Sequence, residues 1–248
     1  MSVPAAVKSE IQNIGGAFMF SREAKAFGAG TGVDGFIGPY TRGRAGVLGD
    51  VDAAVVTAAF GFFEPATVRA AWESVPVAPA AAATGYVRAC QDFGRRKLAG
   101  FDSADRLAEL LQTVADTAEV AGVPLFAGWH ALPQAPDAAG RVLQLIHSLR
   151  ELRGGVHLIA VRASGLSPFE AVLIGGSPRA DGPTQARLFG WGDRVDATEV
   201  TTAMRQRWDA AEALTDELIA PAFAGLDEQG GKELVALLQE AHTTVFTR

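Results

Sequence analysis

A single cysteine, Cys90, occurs in the 248 residues. It excludes an internal disulfide and fits a reducing compartment, so the cytoplasm is the expected location. No apolar run reaches the length of a membrane span, and no membrane partner is expected. The first residues, MSVPAAVKSEIQNIGG, lack a basic region followed by an apolar run, and no secretory signal is expected. Histidine is scarce: His130, His147, His157 and His242. There is no HExxH, no cysteine pair and no two histidines four apart. The usual metal motifs are therefore missing, and neither a metal nor another cofactor is expected. Positive charge is in deficit, with 22 Lys and Arg against 28 Asp and Glu. Duplex DNA selects basic surfaces because Lys and Arg displace its condensed counterions; the deficit weighs against DNA without excluding a local basic patch. The densest basic run, Arg95-Arg96-Lys97, is short and reads as a solvated helix end.

Strand-like alternation is nearly absent as well, so the chain reads as mainly α. With 48% hydrophobic residues it has material for a full core. Helices are expected over 5–13 and 21–28, the second capped by Ser21, then after Asp50 and from Pro65. The stretch SADRLAELLQTVADTAEVAG has helical spacing between a Ser103 cap and Gly122. Ser167-Pro168 opens another helix, and further helices are expected over 183–191, 197–220 and 227–246. Four segments are expected to interrupt this pattern. Gly and Pro break 29–50, VPVAPAAAATG at 75–85 reads as a hinge, three prolines make 123–138 a loop, and Gly154-Gly155 stops the strong helix that precedes it.

The chain also writes one idea twice. Phe60-Gly61-Phe62 and Phe189-Gly190-Trp191 each precede a break and a Thr-containing amphipathic helix, and Gly32/Gly165 and Phe36/Phe169 correspond upstream. This predicts a duplication with pseudo-twofold packing, divided as a first repeat over 1–78, a helical connector over 79–140, and a second repeat with closing helices over 141–248. A pocket commonly forms where such halves meet.

LSPFEAVLIGG followed by PTQARLFGWGDRVDATEVTTAMRQRW resembles the helix-turn-helix of MarR-type regulators. FSREAKA, RAGVLGDVDAAVVTAAFGFFEPATV, PLFAGWHALP and HSLRELRGGVHLIAVRASGLSPFEAVL are similar to a family of actinobacterial tandem winged-helix proteins, over nearly the whole chain. The resemblance implies two degenerate winged-helix repeats. No Gly, Pro or alternating stretch follows VTTAMRQRW where a wing belongs, so the second repeat is expected to lack its wing and the phosphate contacts a wing supplies. In the resembled family a histidine often stands at the position of Gly15, and a polar residue, often histidine, at that of Glu64.

Three functions follow as expectations. The first is a protein that binds a hydrophobic or amphiphilic small molecule, as a monomer or homodimer, in an aromatic pocket between repeats lined by Arg44, Phe60, Phe62, Glu64, His157 and Trp191. The second is a MarR-like regulator in which Arg205 and Arg207 lie exposed on one face and contact DNA. The third is an enzyme of specialised metabolism. There His147 and Glu151, four apart on one helix face, act with His157 as a base system, and Arg44 clamps an anionic group. GTGVDG at 30–35 matches GxGxxG, but a helix precedes it and Pro39 soon follows, so the strand–turn–helix context of a dinucleotide site is missing.

Overall fold

The computed structural model describes residues 2–247. Fourteen α-helices are present among them: α1 (Val3–Met19), α2 (Arg22–Ala29), α3 (Ile37–Ala45), α4 (Ala53–Phe60), α5 (Pro65–Ser74), α6 (Pro79–Lys97), α7 (Ala104–Thr117), α8 (Pro124–His130), α9 (Ala138–Ala163), α10 (Pro168–Gly175), α11 (Gly182–Leu188), α12 (Gly192–Val195), α13 (Thr202–Ile219) and α14 (Glu228–Thr247). Short 3-10 turns follow α3 and α13. No β-strand occurs among the described residues, only an isolated bridge between Ser177 and Ala180. No single helix there is long and apolar enough to cross a membrane.

The axis of the molecule is α9, against which α1, α6, α7, α8 and α13 all pack. Asp137 caps its start by accepting from Gly140 N. Fifteen of its 26 residues are buried, which is what an all-round apolar helix does at the centre of a bundle. The largest core cluster runs from Val7 to Val245 but takes no buried member from residues 157–218. Two smaller clusters gather around α10, one with Phe169, Val172, Leu173, Ala186 and Val195, the other with Val161, Leu166, Ala171 and Ala211.

The four expected interruptions are largely helical, for one reason: their small residues serve packing. In α3, a Cβ on Gly43 would lie 2.7 Å from Tyr86 Cγ, and just beyond it one on Gly46 would lie 2.2 Å from Pro79 O. These glycines bring α3 against α6. Pro39 falls within the first turn of α3, where its missing N–H costs nothing. The hinge is shorter than expected, because Pro79 begins α6 at its first position. Pro124 does the same for α8, whose Leu125, Phe126 and Trp129 are buried. Gly154 and Gly155 do not stop α9. Gly155 faces Val123, whose Cγ1 would lie 2.7 Å from an added Cβ, and this close contact outweighs a glycine penalty of about 1 kcal/mol each.

Candidate functional site

Three helices carry the polar interior. From α3, Arg44 donates to both oxygens of Glu151 on α9, at 2.8 and 2.7 Å. The guanidinium lies over Phe60, 4.4 Å from the ring centre, and Trp129 of α8 donates Nε1–H to Arg44 O. Burial opposes the charge on Glu151, but Arg44 outweighs it and holds the carboxyl at about 2. His147 Nε2 lies 3.5 Å from Glu151 Oε1, with the ring held among Trp129, Phe18 and Tyr86. Burial depresses this imidazole to about 3, so it is neutral at pH 7. His147 and Glu151 are thus brought together as their spacing predicts, and the fold adds Arg44, which takes Glu151 and not a ligand as its anion. They are nevertheless closed to solvent, with His147 and Glu151 at 0% and 1% exposure. Arg44 spends Nε–H and Nη2–H on Glu151 and lines neither of the cavities described below. Thr41 Oγ1, Tyr86 Oη and both ring nitrogens of His147 are buried without a hydrogen-bond partner among the described residues.

His157 lies elsewhere. With α9 continuous, it stands ten residues beyond His147, about 15 Å along the axis at 1.5 Å per residue. The expected turn back toward His147 does not occur, and the two histidines cannot share one site. Thr215 of α13 donates to Ala211 O at 2.6 Å, so its oxygen accepts from His157 Nδ1 at 2.9 Å. His157 stacks on Phe62 and meets Trp208 edge-on. Burial lowers it to about 4. Beside it, Glu212 of α13 accepts from Lys8 and Arg153, and Arg153 also reaches Asp216. This network fastens α13 to α9 and α1.

The two aromatic-Gly-aromatic steps meet. Phe63 and Phe189 stack with centroids 3.8 Å apart, Trp191 donates Nε1–H to Phe62 O at 2.8 Å, and Glu64 N donates to Phe189 O. Gly190, at φ +94°, fits there because a Cβ would lie 2.2 Å from Thr67 Oγ1. Glu64 is an N-cap, accepting from Thr67 N at 2.6 Å, and is not directed at a ligand. The expected aromatic pocket between these stretches is a packed contact: Phe60 is 2% exposed within the main core, and Phe62 and Trp191 pack on the clusters around α10. Two cavities stand out in the molecule, and neither touches them. One, about 530 Å³, lies between α7 and α9 beside Asp105, Glu109, Asp116 and Arg141; the other, about 10 Å³, lies between α1 and α9.

Charge is distributed unevenly. Residues 160–208 carry six arginines against five carboxylates, in a chain that is acidic as a whole. Of those six, only Arg187 is ion-paired among the described residues, to Asp196. Arg194 lies over Phe169 and Arg179 over Phe20. Arg205 and Arg207 are exposed on α13, where, among the described residues, Arg205 has no side-chain partner and Arg207 donates only to Gly165 O at 3.2 Å. They are two residues apart and so project from opposite flanks of the helix, not one face as expected. Thr201 caps the helix by accepting from Met204 N, and Thr202, Ala203, Gln206 and Ala210 are exposed between the arginines or beside them. Sequence reasoning missed Gln206; its only signal was its position midway between two arginines on an amphipathic helix. It also missed Thr41, Tyr86 and Trp129, whose part in the polar interior depends on how α3, α6 and α8 meet α9.

A protein-family model described as a helix-turn-helix family matches residues 5–248. The chain belongs to this helix-turn-helix family. No curated protein matches it, and no solved structure does.

Proposed function

We propose that the chain is a MarR-like DNA-binding protein made of two wingless helix-turn-helix units, and that only the second meets duplex DNA. The first unit is α3, α4 and α5; the second is α10, α11 and α13. In each, the turn glycine follows the middle helix, and the last helix carries a tryptophan that packs on the first. Arg42 of α3 lies 4.0 Å over the Trp72 ring, and Gly175 of α10 meets Trp208, whose Cη2 would be 2.3 Å from an added Cβ. Gly32 and Gly165, ahead of the two units, share φ +76°.

The observation that carries the reading is the free arginines of the second unit. Surface arginines elsewhere mostly find a carboxylate, as Arg69, Arg95, Arg96 and Arg106 do. Along 160–208 every arginine but Arg187 is without a carboxylate partner among the described residues, which is how an acidic chain can carry a DNA footprint. Fluorescence anisotropy with labelled duplex at low and physiological salt tests it. The intact chain binds with steep salt dependence, and the R205E/R207E double variant, still folded by circular dichroism, does not. Salt-independent binding or none overturns it.

A second reading, retention of a small amphiphilic molecule, is favoured by the unpartnered Tyr86 and His147 atoms in the interior, since buried polar groups without partners call for an occupant. Native mass spectrometry of protein from its own host tests this. A fixed excess mass that survives desalting supports it, and the bare chain mass refutes it.

A further inference from the structure

We infer that Gln206 is the base-reading residue of α13, and that Arg205 and Arg207 grip phosphates on the two sides of the groove it enters. This rests on the proposal that α13 meets duplex DNA. The inward line of α13 runs through Met204, Trp208, Ala211, Thr215 and Ile219, with the last three buried and the first two half-buried. Successive residues turn by about 100°, so the opposite line runs through Thr202, Gln206 and Ala213, all exposed. Gln206 therefore points straight out. Its exposed helical neighbours Ala203 and Ala210 are small, which lets the helix backbone come close to base edges. Arg205 and Arg207 project about 100° to either side of it.

A helix with its side chains is about 10–12 Å across and fills a major groove of about 12 Å. Its central line then faces base edges and its flanks face the two phosphate strands. Arg207 is drawn to its own flank by Gly165 O at 3.2 Å, at the α9–α10 corner where Arg162 is also exposed. Gln206 carries one amide donor and one acceptor, the pair that matches adenine N6 and N7. Arginines aimed sideways contribute register and affinity without sequence information. Asp209, Glu212, Asp216 and Glu217 follow, so the helix turns acidic beyond its second turn. Only its N-terminal half is suited to the groove, as in other helix-turn-helix docking.

The test is selection by the full chain from a pool of duplexes with a randomised centre, followed by salt titration on the selected duplex. The wild type is expected to enrich a motif containing an adenine. Gln206→Ala loses that adenine and weakens binding to the selected duplex about five- to a hundredfold. Arg205→Gln and Arg207→Gln each keep the motif, weaken binding across sequences, and lower the log–log salt slope by about 0.9. Persistence of the motif in Gln206→Ala, or its loss in Arg205→Gln, overturns the assignment. Salt-steep binding without any motif also overturns it while leaving DNA binding intact. Failure of every duplex to bind at low salt removes the DNA-binding proposal itself.

Discussion

In the first of the proposed units the start of α5 is tied to the second unit's turn through Glu64 and Thr67, whereas no such turn meets the exposed start of α13 in the second. Phe189 O accepts from Glu64 N, Phe189 stacks on Phe63, and Gly190 sits on Thr67. A helix that reads bases does so through its N-terminal residues; in α5 the second unit's turn occupies Glu64 and Thr67 there, while Pro65 and Ala66 stay exposed. The arginines follow the same division. Arg42 donates to Trp72 O and Val75 O, Arg44 is locked to Glu151 and Arg69 pairs with Glu73, while Arg205 has no side-chain partner among the described residues. In the proposed reading the first unit serves as scaffold and the second keeps an open surface.

The most damaging way to probe that division is to attack the scaffold's ion pair. Glu151→Ala leaves Arg44 buried and uncompensated and is expected to cost about 3–5 kcal/mol in urea unfolding. Arg205→Ala, at the surface, should stay within about 0.5 kcal/mol of the wild type. Equal losses would erase the contrast.

Gly190→Ala should cost about 1–3 kcal/mol, because the residue has positive φ and its new methyl meets Thr67. Hydrogen exchange should quicken at the first-turn amides of α5 while the middle of α9 stays protected. Unchanged exchange at Ala66 and Thr67 would mean that the turn does not hold α5.

Acid comes next in size. His147 and His157 are depressed from 6.5 to about 3 and about 4 by burial, so the unfolded chain binds more protons between about pH 6.5 and 4. Their contribution is full above pH 6.5 and is lost on acidification, at up to about 1.4 kcal/mol per pH unit for each. The Arg44–Glu151 pair responds lower, below the usual carboxyl value of 4.5. His147→Phe removes one imidazole's share of the slope, and stability measured against pH in this variant should flatten accordingly. A slope identical to that of the wild type would place His147 in contact with solvent.

The smallest effect is expected at Asp209. Asp209→Asn removes a carboxylate beside the exposed half of α13 and should tighten duplex binding by about 0.5 kcal/mol or less at low salt. Weaker binding there would point to a different docking face.

Much of this was legible in the sequence, and the exceptions share a cause. Ser167-Pro168 announces its helix by capping and α7 by helical periodicity, which are local, although the expected Ser103 cap makes no side-chain hydrogen bond. His147 and Glu151 sit together because helical spacing requires it. By contrast α3 looked broken and α9 looked divided, because a glycine's propensity is local while its use against Tyr86 or Val123 is not. The Phe-Gly-Phe and Phe-Gly-Trp steps were recognisable as a pair. Whether they enclosed space or closed it depended on the distance between α4 and α11, which no spacing encodes.

The sequence by itself determined a helical chain, the helix-turn-helix family and the places where most helices begin, because capping and hydrophobic period act within a few residues. Tertiary structure alone decided that Arg44 is a buried pin and Arg205 a free cation, since a guanidinium takes its role from the carboxylate or solvent that folding sets beside it.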